Sequence, residues 1–157
     1  MRISVHVPSQ TLDLFDGDRL IRRYVISTSR FGFGTENGSN KTPLGWFRIL
    51  EKFGDDAPAG EIFRERQRTG ELGQEGEGFD NVQTRILWLD GLDPENANTR
   101  ERYIYIHGTN GESQLGTPAS HGCVRMSNLD VIDLYDFMQV DDEVFIGTDE
   151  VAPGSLV

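Results

Sequence analysis

A single cysteine, Cys123, stands in this chain of 157 residues, so no disulfide can form within it. The length suits one domain, residues 1–157, and can bury a core without covalent staples. The thiol is therefore free to sit in a reducing compartment. Long apolar runs are missing too, and no stretch of about twenty apolar residues is present to span a bilayer. The opening MRISVHVPSQTLDLF lacks a basic start followed by an apolar run, so it does not read as a secretory leader. The expectation is a cytoplasmic protein; a chain shorn of its leader would be periplasmic instead. Basic residues are scarce: 15 Lys and Arg face 26 Asp and Glu, a net charge of −11. This balance argues against nucleic acid and membrane surfaces as partners, since both need basic patches. A few local arginines can still bind a carboxylate-bearing substrate.

What is present is mostly strand. Ile3, Val5 and Val7 alternate with Arg2, Ser4 and His6, which predicts a half-buried strand with His6 on its solvated face. Asp16-Gly17 signals a type I′ turn inside QTLDLFDGDRLIRRYVIS, hence a hairpin. TPLGWFRILEKF, TRILWLDGL, RYIYIHG and EVFIG read as further strands. In RYIYIHG, Ile104 and Ile106 share one face, and Tyr103, Tyr105 and His107 the other. Val131, Leu134, Tyr135 and Met138 follow helical spacing over 128–138, and Ser127 with Asp130 resembles a capping box. The segment 54–80 is rich in glycine, acidic residues and arginine, and reads as a long surface loop that is either a lid or merely solvated. The expectation is a β-rich mixed α/β domain with one main helix.

The chemistry gathers at SHGCVRM, residues 120–126. A thiol is a weak nucleophile until it loses its proton, and a nearby imidazole can take that proton and later return it to a leaving amine. Two of the three histidines, His107 and His121, are candidates. Gly122 lets the backbone turn sharply, so that amide N–H groups can converge beside the sulfur and stabilise an oxyanion. A loop, a flexible glycine and then the thiol ahead of a helix are the parts of a nucleophile elbow. Two alternatives stand beside this reading. Cys123 is a small buried hydrophobe, or His107, His121 and Cys123 ligate zinc without the usual paired spacings.

IHGT, a short Gly-containing spacer, then SHGCVRM and a helix resemble the signature of the L,D-transpeptidase (YkuD-like) family. KTPLGWFRI and the opening hairpin match that family's run-up, so the resemblance covers essentially the whole chain. It implies a β-sandwich-like fold with one main helix after the catalytic loop. It also implies cleavage of the bond between a meso-diaminopimelate (or lysine) residue and the terminal D-alanine of a peptidoglycan tetrapeptide stem. Carried over, Cys123 forms the thioester and His107 is base and then acid. The Gly108 carbonyl orients the imidazole, and backbone N–H groups of His121, Gly122 and Cys123 line an oxyanion hole. Ser120 and the His121 side chain shape the pocket. Arg125 either docks a substrate carboxylate or makes a structural ion pair. Trp88, Tyr103 and Tyr105 form an aromatic wall or simply pack, and Met126 packs.

The thioester goes to water, giving an L,D-carboxypeptidase, or to an amine of a second stem or a D-amino acid, giving an L,D-transpeptidase. Short members without a leader resemble cytoplasmic L,D-carboxypeptidases of peptidoglycan recycling, and the segment 54–80 with Arg64, Arg66 and Arg68 fits them, so water is the expected acceptor. A non-catalytic fragment-binding domain on the same scaffold is the remaining class. The mechanism calls for no cofactor or metal. Many family members are acylated by carbapenems.

Overall fold

The computed structural model describes residues 1–78 and 80–148. Ten strands and one α-helix run in the order β1 (Arg2–His6), β2 (Thr11–Asp16), β3 (Arg19–Ser27), β4 (Gly45–Phe53), β5 (Glu61–Arg64), β6 (Gln67–Leu72), β7 (Val82–Gly91), β8 (Tyr105–Gly108), β9 (Val124–Met126), α1 (Asn128–Phe137) and β10 (Glu143–Gly147). They form one sheet in the order β4-β10-β1-β2-β3-β9-β8-β7-β5-β6, and β4 also pairs with β7. That extra pairing closes the sheet into a barrel-like, β-sandwich-like body. β5 and β6 project from it as a hairpin. Two ladders are parallel, β1 with β10 and β8 with β9.

Strand residues turned inward build the core. Ile3, Leu12, Leu14, Ile26, Phe47, Ile49, Leu87, Leu89, Ile106 and Val144 are fully buried. From α1, Val131, Leu134 and Tyr135 join the same cluster, and the helix packs on β7 and β8. Each buried aliphatic or aromatic side chain contributes about 1.5–3 kcal/mol. β1 lies between β10 and β2, so Ser4 is buried along with its apolar neighbours. His6 is half-buried, its Nδ1 2.5 Å from Ser9 Oγ, rather than simply solvated.

Four expectations need correction. The β2–β3 loop is Gly17-Asp18, and φ is positive at Gly17 but not at Asp18, the sign pattern of a type II′ turn rather than type I′. Segment 54–80 is not one long loop, because β5 and β6 fold within it. Ile62 and Phe63 are buried and pair with Gln83 and Val82 of β7. β6 is an edge strand with no buried residue, so it carries no apolar alternation to read. Tyr103 has φ +56, which breaks the strand and delays β8 to Tyr105. Lastly, the thiol does not open directly onto a helix. β9 intervenes between Cys123 and α1, so this is a turn into a strand and not a strand-turn-helix elbow.

The helix itself starts where the cap residues place it. Ser127 Oγ accepts from the Asp130 N–H at 3.0 Å, half of the expected capping box. Replacing Ser127 by Ala should lower stability by about 1 kcal/mol. Urea unfolding monitored by circular dichroism would register this as a lower midpoint at unchanged slope.

Candidate active site

The parallel β8–β9 ladder pairs Ile106 with Val124, His107 with Arg125 and Gly108 with Met126. Register partners in a parallel pair point to the same face. Ile106 and Val124 face the core, so Tyr105, His107 and Arg125 share the opposite face, and Cys123 precedes Val124 on that side. The half-buried Cys123 sits in a second apolar cluster with Phe63, Ile86, Tyr105 and Trp88. Its Sγ accepts from the Tyr105 N–H at 3.3 Å and lies 3.6 Å from the Tyr103 carbonyl.

His107 is buried, and its Nδ1 lies 2.5 Å from the Gly108 carbonyl. A carbonyl only accepts, so Nδ1 carries the hydrogen and Nε2 keeps a lone pair, the tautomer a general base needs. Gly108 is boxed in: a Cβ there would lie 2.6 Å from Asn128 Oδ1 and 2.7 Å from the Gln83 carbonyl. The box is made by a bulge in β7. Gln83 pairs with Gly108 but Ile86 pairs with His107, so Thr84 and Arg85 are extra. Thr84 takes φ +76, a strained value for a β-branched residue. Its Oγ1 donates to Asn128 Oδ1 at 2.5 Å and accepts from the Gly60 N–H at 2.9 Å.

Burial favours the neutral form of both the Cys123 thiol and the His107 imidazole. Burial pushes the Cys123 thiol up to about 11, against the pull of the Tyr105 N–H and of Arg125 and Arg102. Burial also pushes the His107 imidazole below its ordinary value, although the Gly108 carbonyl and Asp80 oppose this. Burial thus favours a thiol and a neutral imidazole over a thiolate–imidazolium pair.

The SHGC turn is braced from several sides. Gly122 adopts φ +126, which favours glycine. Buried Ser120 donates from Oγ to the Cys123 carbonyl at 2.6 Å and accepts from the Gly122 N–H at 3.3 Å. Ser120 thus stiffens the turn rather than lining a pocket, and the Gly122 N–H is turned toward it. Thr42 Oγ1 donates to the Gly122 carbonyl at 3.0 Å. The Ser120 N–H and carbonyl bond to the Thr28 carbonyl and the Arg30 N–H. Met126 is fully buried.

Arg125 is buried and ion-paired. Its Nη2 lies 2.7 Å from Asp80 Oδ2 and its Nη1 donates to Gln114 Oε1 at 3.0 Å. Asp80 Oδ2 also receives His121 Nδ1 at 3.1 Å. Burial alone would raise the Asp80 carboxyl, but the Arg125 and His121 contacts prevail and hold it below the usual carboxylate range. His121 separates two cavities. One, of about 310 Å³, is bordered by Asp80, Asn110, Gln114 and Arg125. The other, of about 430 Å³, is bordered by Asn40, Glu101, Arg102 and Ile104.

The aromatic residues meet as a wall beside the thiol. Trp88 stacks on Tyr103 with ring centres 5.9 Å apart, and Tyr105 meets Trp88 edge-on at 6.2 Å. Tyr105 is buried and Tyr103 is exposed. Among the described residues, no group of three His, Cys, Asp or Glu side chains is arranged to hold a metal ion.

Comparison with known proteins bears on the family and the fold. The family model described as the L,D-transpeptidase catalytic domain, YkuD, matches residues 1–146. The chain belongs to this family. The YkuD protein of Bacillus licheniformis is 28% identical over 133 residues, covering 85% of this chain and 57% of its own length. YqjB of Bacillus subtilis is 40% identical over 63 residues, 40% of this chain and 34% of its own. The chain thus spans a little over half the length of the YkuD relative. An L,D-transpeptidase structure from Mycobacterium smegmatis superposes with a TM-score of 0.62 at 17% identity, covering 93% of this chain and 58% of that one. LdtMt1 in complex with imipenem superposes at 0.59 and 15% identity, covering 93% and 58%. At these identities the structures establish the fold.

Within this L,D-transpeptidase domain, Cys123, His107, Gly108, Gly122, His121 and Arg125 converge as a site, flanked by Trp88, Tyr103 and Tyr105. Two contributors were not legible in the sequence. Asp80 lies in the acidic segment and became meaningful only once it met Arg125. Arg102 holds the Lys41 and Gly34 carbonyls at 2.6 and 3.2 Å and acts on the thiol at longer range.

A neutral dyad has a signature. Alkylation of Cys123 by iodoacetamide should keep accelerating by up to tenfold per pH unit past 8.5, the ordinary thiol value, and head for a plateau near 11. Rates measured by mass spectrometry from pH 6 to 10 would check this. A plateau reached by about pH 7 would mean a thiolate–imidazolium pair.

Proposed function

We propose that this domain is a cysteine acyl-transferase of peptidoglycan metabolism that cleaves the diaminopimelate–D-alanine bond of tetrapeptide stems, with water as acceptor. The observation that carries the reading is a lone thiol on the same sheet face as an imidazole whose Nδ1 is bonded to the Gly108 carbonyl, which leaves Nε2 to act as the base. Cys123 Sγ gives its proton to His107 Nε2 and attacks the carbonyl carbon. The tetrahedral oxyanion forms beside the Cys123 backbone N–H, since the Gly122 N–H donates to Ser120 Oγ. Collapse expels D-alanine, whose nitrogen takes the proton from His107, and leaves a thioester. Water, deprotonated by the same imidazole, then releases the tripeptide and restores the thiol. Burial favours the neutral form of both groups at rest, so the first proton transfer starts from a neutral pair and creates the imidazolium that later protonates the leaving nitrogen.

The net charge of −11 supports small soluble fragments over polyanionic surfaces as substrates. One observation favours a second reading. Cavities open on both sides of His121, which offers room for a second peptide and hence for transfer to an amine. Chemistry up to the thioester is identical in the two readings.

Incubation with a free tetrapeptide stem, with and without excess acceptor stem or D-amino acid, separates them by mass spectrometry. Tripeptide plus D-alanine as the main products is the expected result. Crosslinked or exchanged product would make transfer the activity. Cys123→Ala and His107→Ala should each lower turnover by at least about a thousandfold. A carbapenem should add its mass to the wild type and not to Cys123→Ala. With no product and no adduct, a fragment-binding domain would replace both readings.

A further inference from the structure

Three arginines punctuate the β5–β6 hairpin, and two of them are spoken for. Arg64 pairs with Glu71 at 3.3 Å and Arg68 with Glu61 at 2.8 Å. Arg66 pairs with no carboxylate among the described residues, in a chain of net charge −11. Glu65, its neighbour, acts on it only at longer range. The Arg66 guanidinium instead lies 4.8 Å from the Trp88 ring centre and 5.2 Å from that of Tyr103. Its Nη1 donates to Tyr105 Oη at 3.0 Å. Its Nε and Nη2 make no hydrogen bond among the described residues. That edge, two parallel N–H donors, is the fork that fits a carboxylate.

The backbone is bent to put it there. Glu65 and Arg66 form the two-residue turn between β5 and β6 with φ +50 and +64, values that favour glycine or asparagine. The turn folds Arg66 back over the wall. This wall is the rim of the thiol: Tyr105 donates its N–H to Cys123 Sγ, the Tyr103 carbonyl lies 3.6 Å from Sγ, and Trp88 and Cys123 pack in one cluster. A fixed cation with an unused fork therefore stands one side chain away from the nucleophile.

We propose that Arg66 is a specificity residue that receives a carboxylate of the peptide substrate, while the Trp88–Tyr103–Tyr105 wall supports the adjoining chain. The inference rests on the peptide-cleaving reading above. Two groups of a stem peptide have this chemistry, the C-terminal carboxylate and the side-chain carboxylate of the third residue. Stacking on the rings holds the guanidinium flat, so little freedom is lost when the carboxylate arrives.

Steady-state kinetics test it with wild type, Arg66→Gln and Arg66→Lys on three substrates: the tetrapeptide stem, its C-terminal amide, and the stem amidated at the side-chain carboxylate. Arg66→Gln should raise KM for the free acid by about 10- to 100-fold at nearly unchanged kcat, and Arg66→Lys should raise it less. One amide should be poor on the wild type and lose nothing further on Arg66→Gln, and that amide identifies the carboxylate. Equal losses on all three substrates would reassign Arg66 to packing and overturn the proposal, as would an unchanged KM. Melting curves and Cys123 alkylation rates report whether each variant is folded. If Arg66→Gln does not fold, the amide series on wild type and Arg66→Lys decides the matter. Wild-type turnover with a KM indifferent to Arg66 would sink this inference alone. No turnover by the wild type would sink the peptide-cleaving reading and this inference with it.

Discussion

Three residue pairs between β8 and β9 hold the site together. His107 and Cys123 are sixteen residues apart in the chain, and the parallel pairing of β8 with β9 sets them on one sheet face. Parallel neighbours need a crossover of about a dozen residues. Here that crossover, residues 109–123, brings Gln114, Ser120, His121 and Gly122 with it. The connection that topology requires is thus also the segment that carries the chemistry.

Charge is distributed around the dyad in a consistent way. Burial pushes the thiol up and the imidazole down, which favours their neutral forms, while the charged groups stand one step back. Asp80 and Arg125 compensate each other, and Asp80 keeps His121 in place on the exposed side. Removing Asp80 would leave the buried Arg125 guanidinium without its carboxylate, which costs far more than the pair contributes. Arg125 makes the ion pair, one of the two roles open to it in the sequence, and still borders a cavity.

Much of this was legible in the sequence because the signals were local. Alternation located most of the strands, Ser127 located the helix start, and SHGC located the turn that carries the lone thiol. Features that depend on partners were not legible. The β7 bulge has no compositional mark, since Thr84 looks like an ordinary strand residue until its φ is known. β6 hides in a polar segment because an edge strand with no buried residue needs no apolar pattern. The break at Tyr103 defeats the alternation of RYIYIHG, and with it the idea that Tyr103 and His107 belong to one regular strand. Asp80 and Arg66 were two among many charges, and only contact with Arg125 and with the aromatic wall distinguishes them.

The closure of the sheet through β4 and β7 has a consequence for how the protein behaves in company. A closed sheet offers no free rim, and the hairpin hung on β7 leaves β6 as its outer strand. An unpaired strand rim is where a stranger's backbone can add and where fibrils begin. β6 discourages this in three ways. It carries Arg68 and Glu71, it is bent at Gly70 with φ +78, and its pairing with β5 slips register. The hairpin can therefore stay exposed near the site while its outer rim resists strand addition.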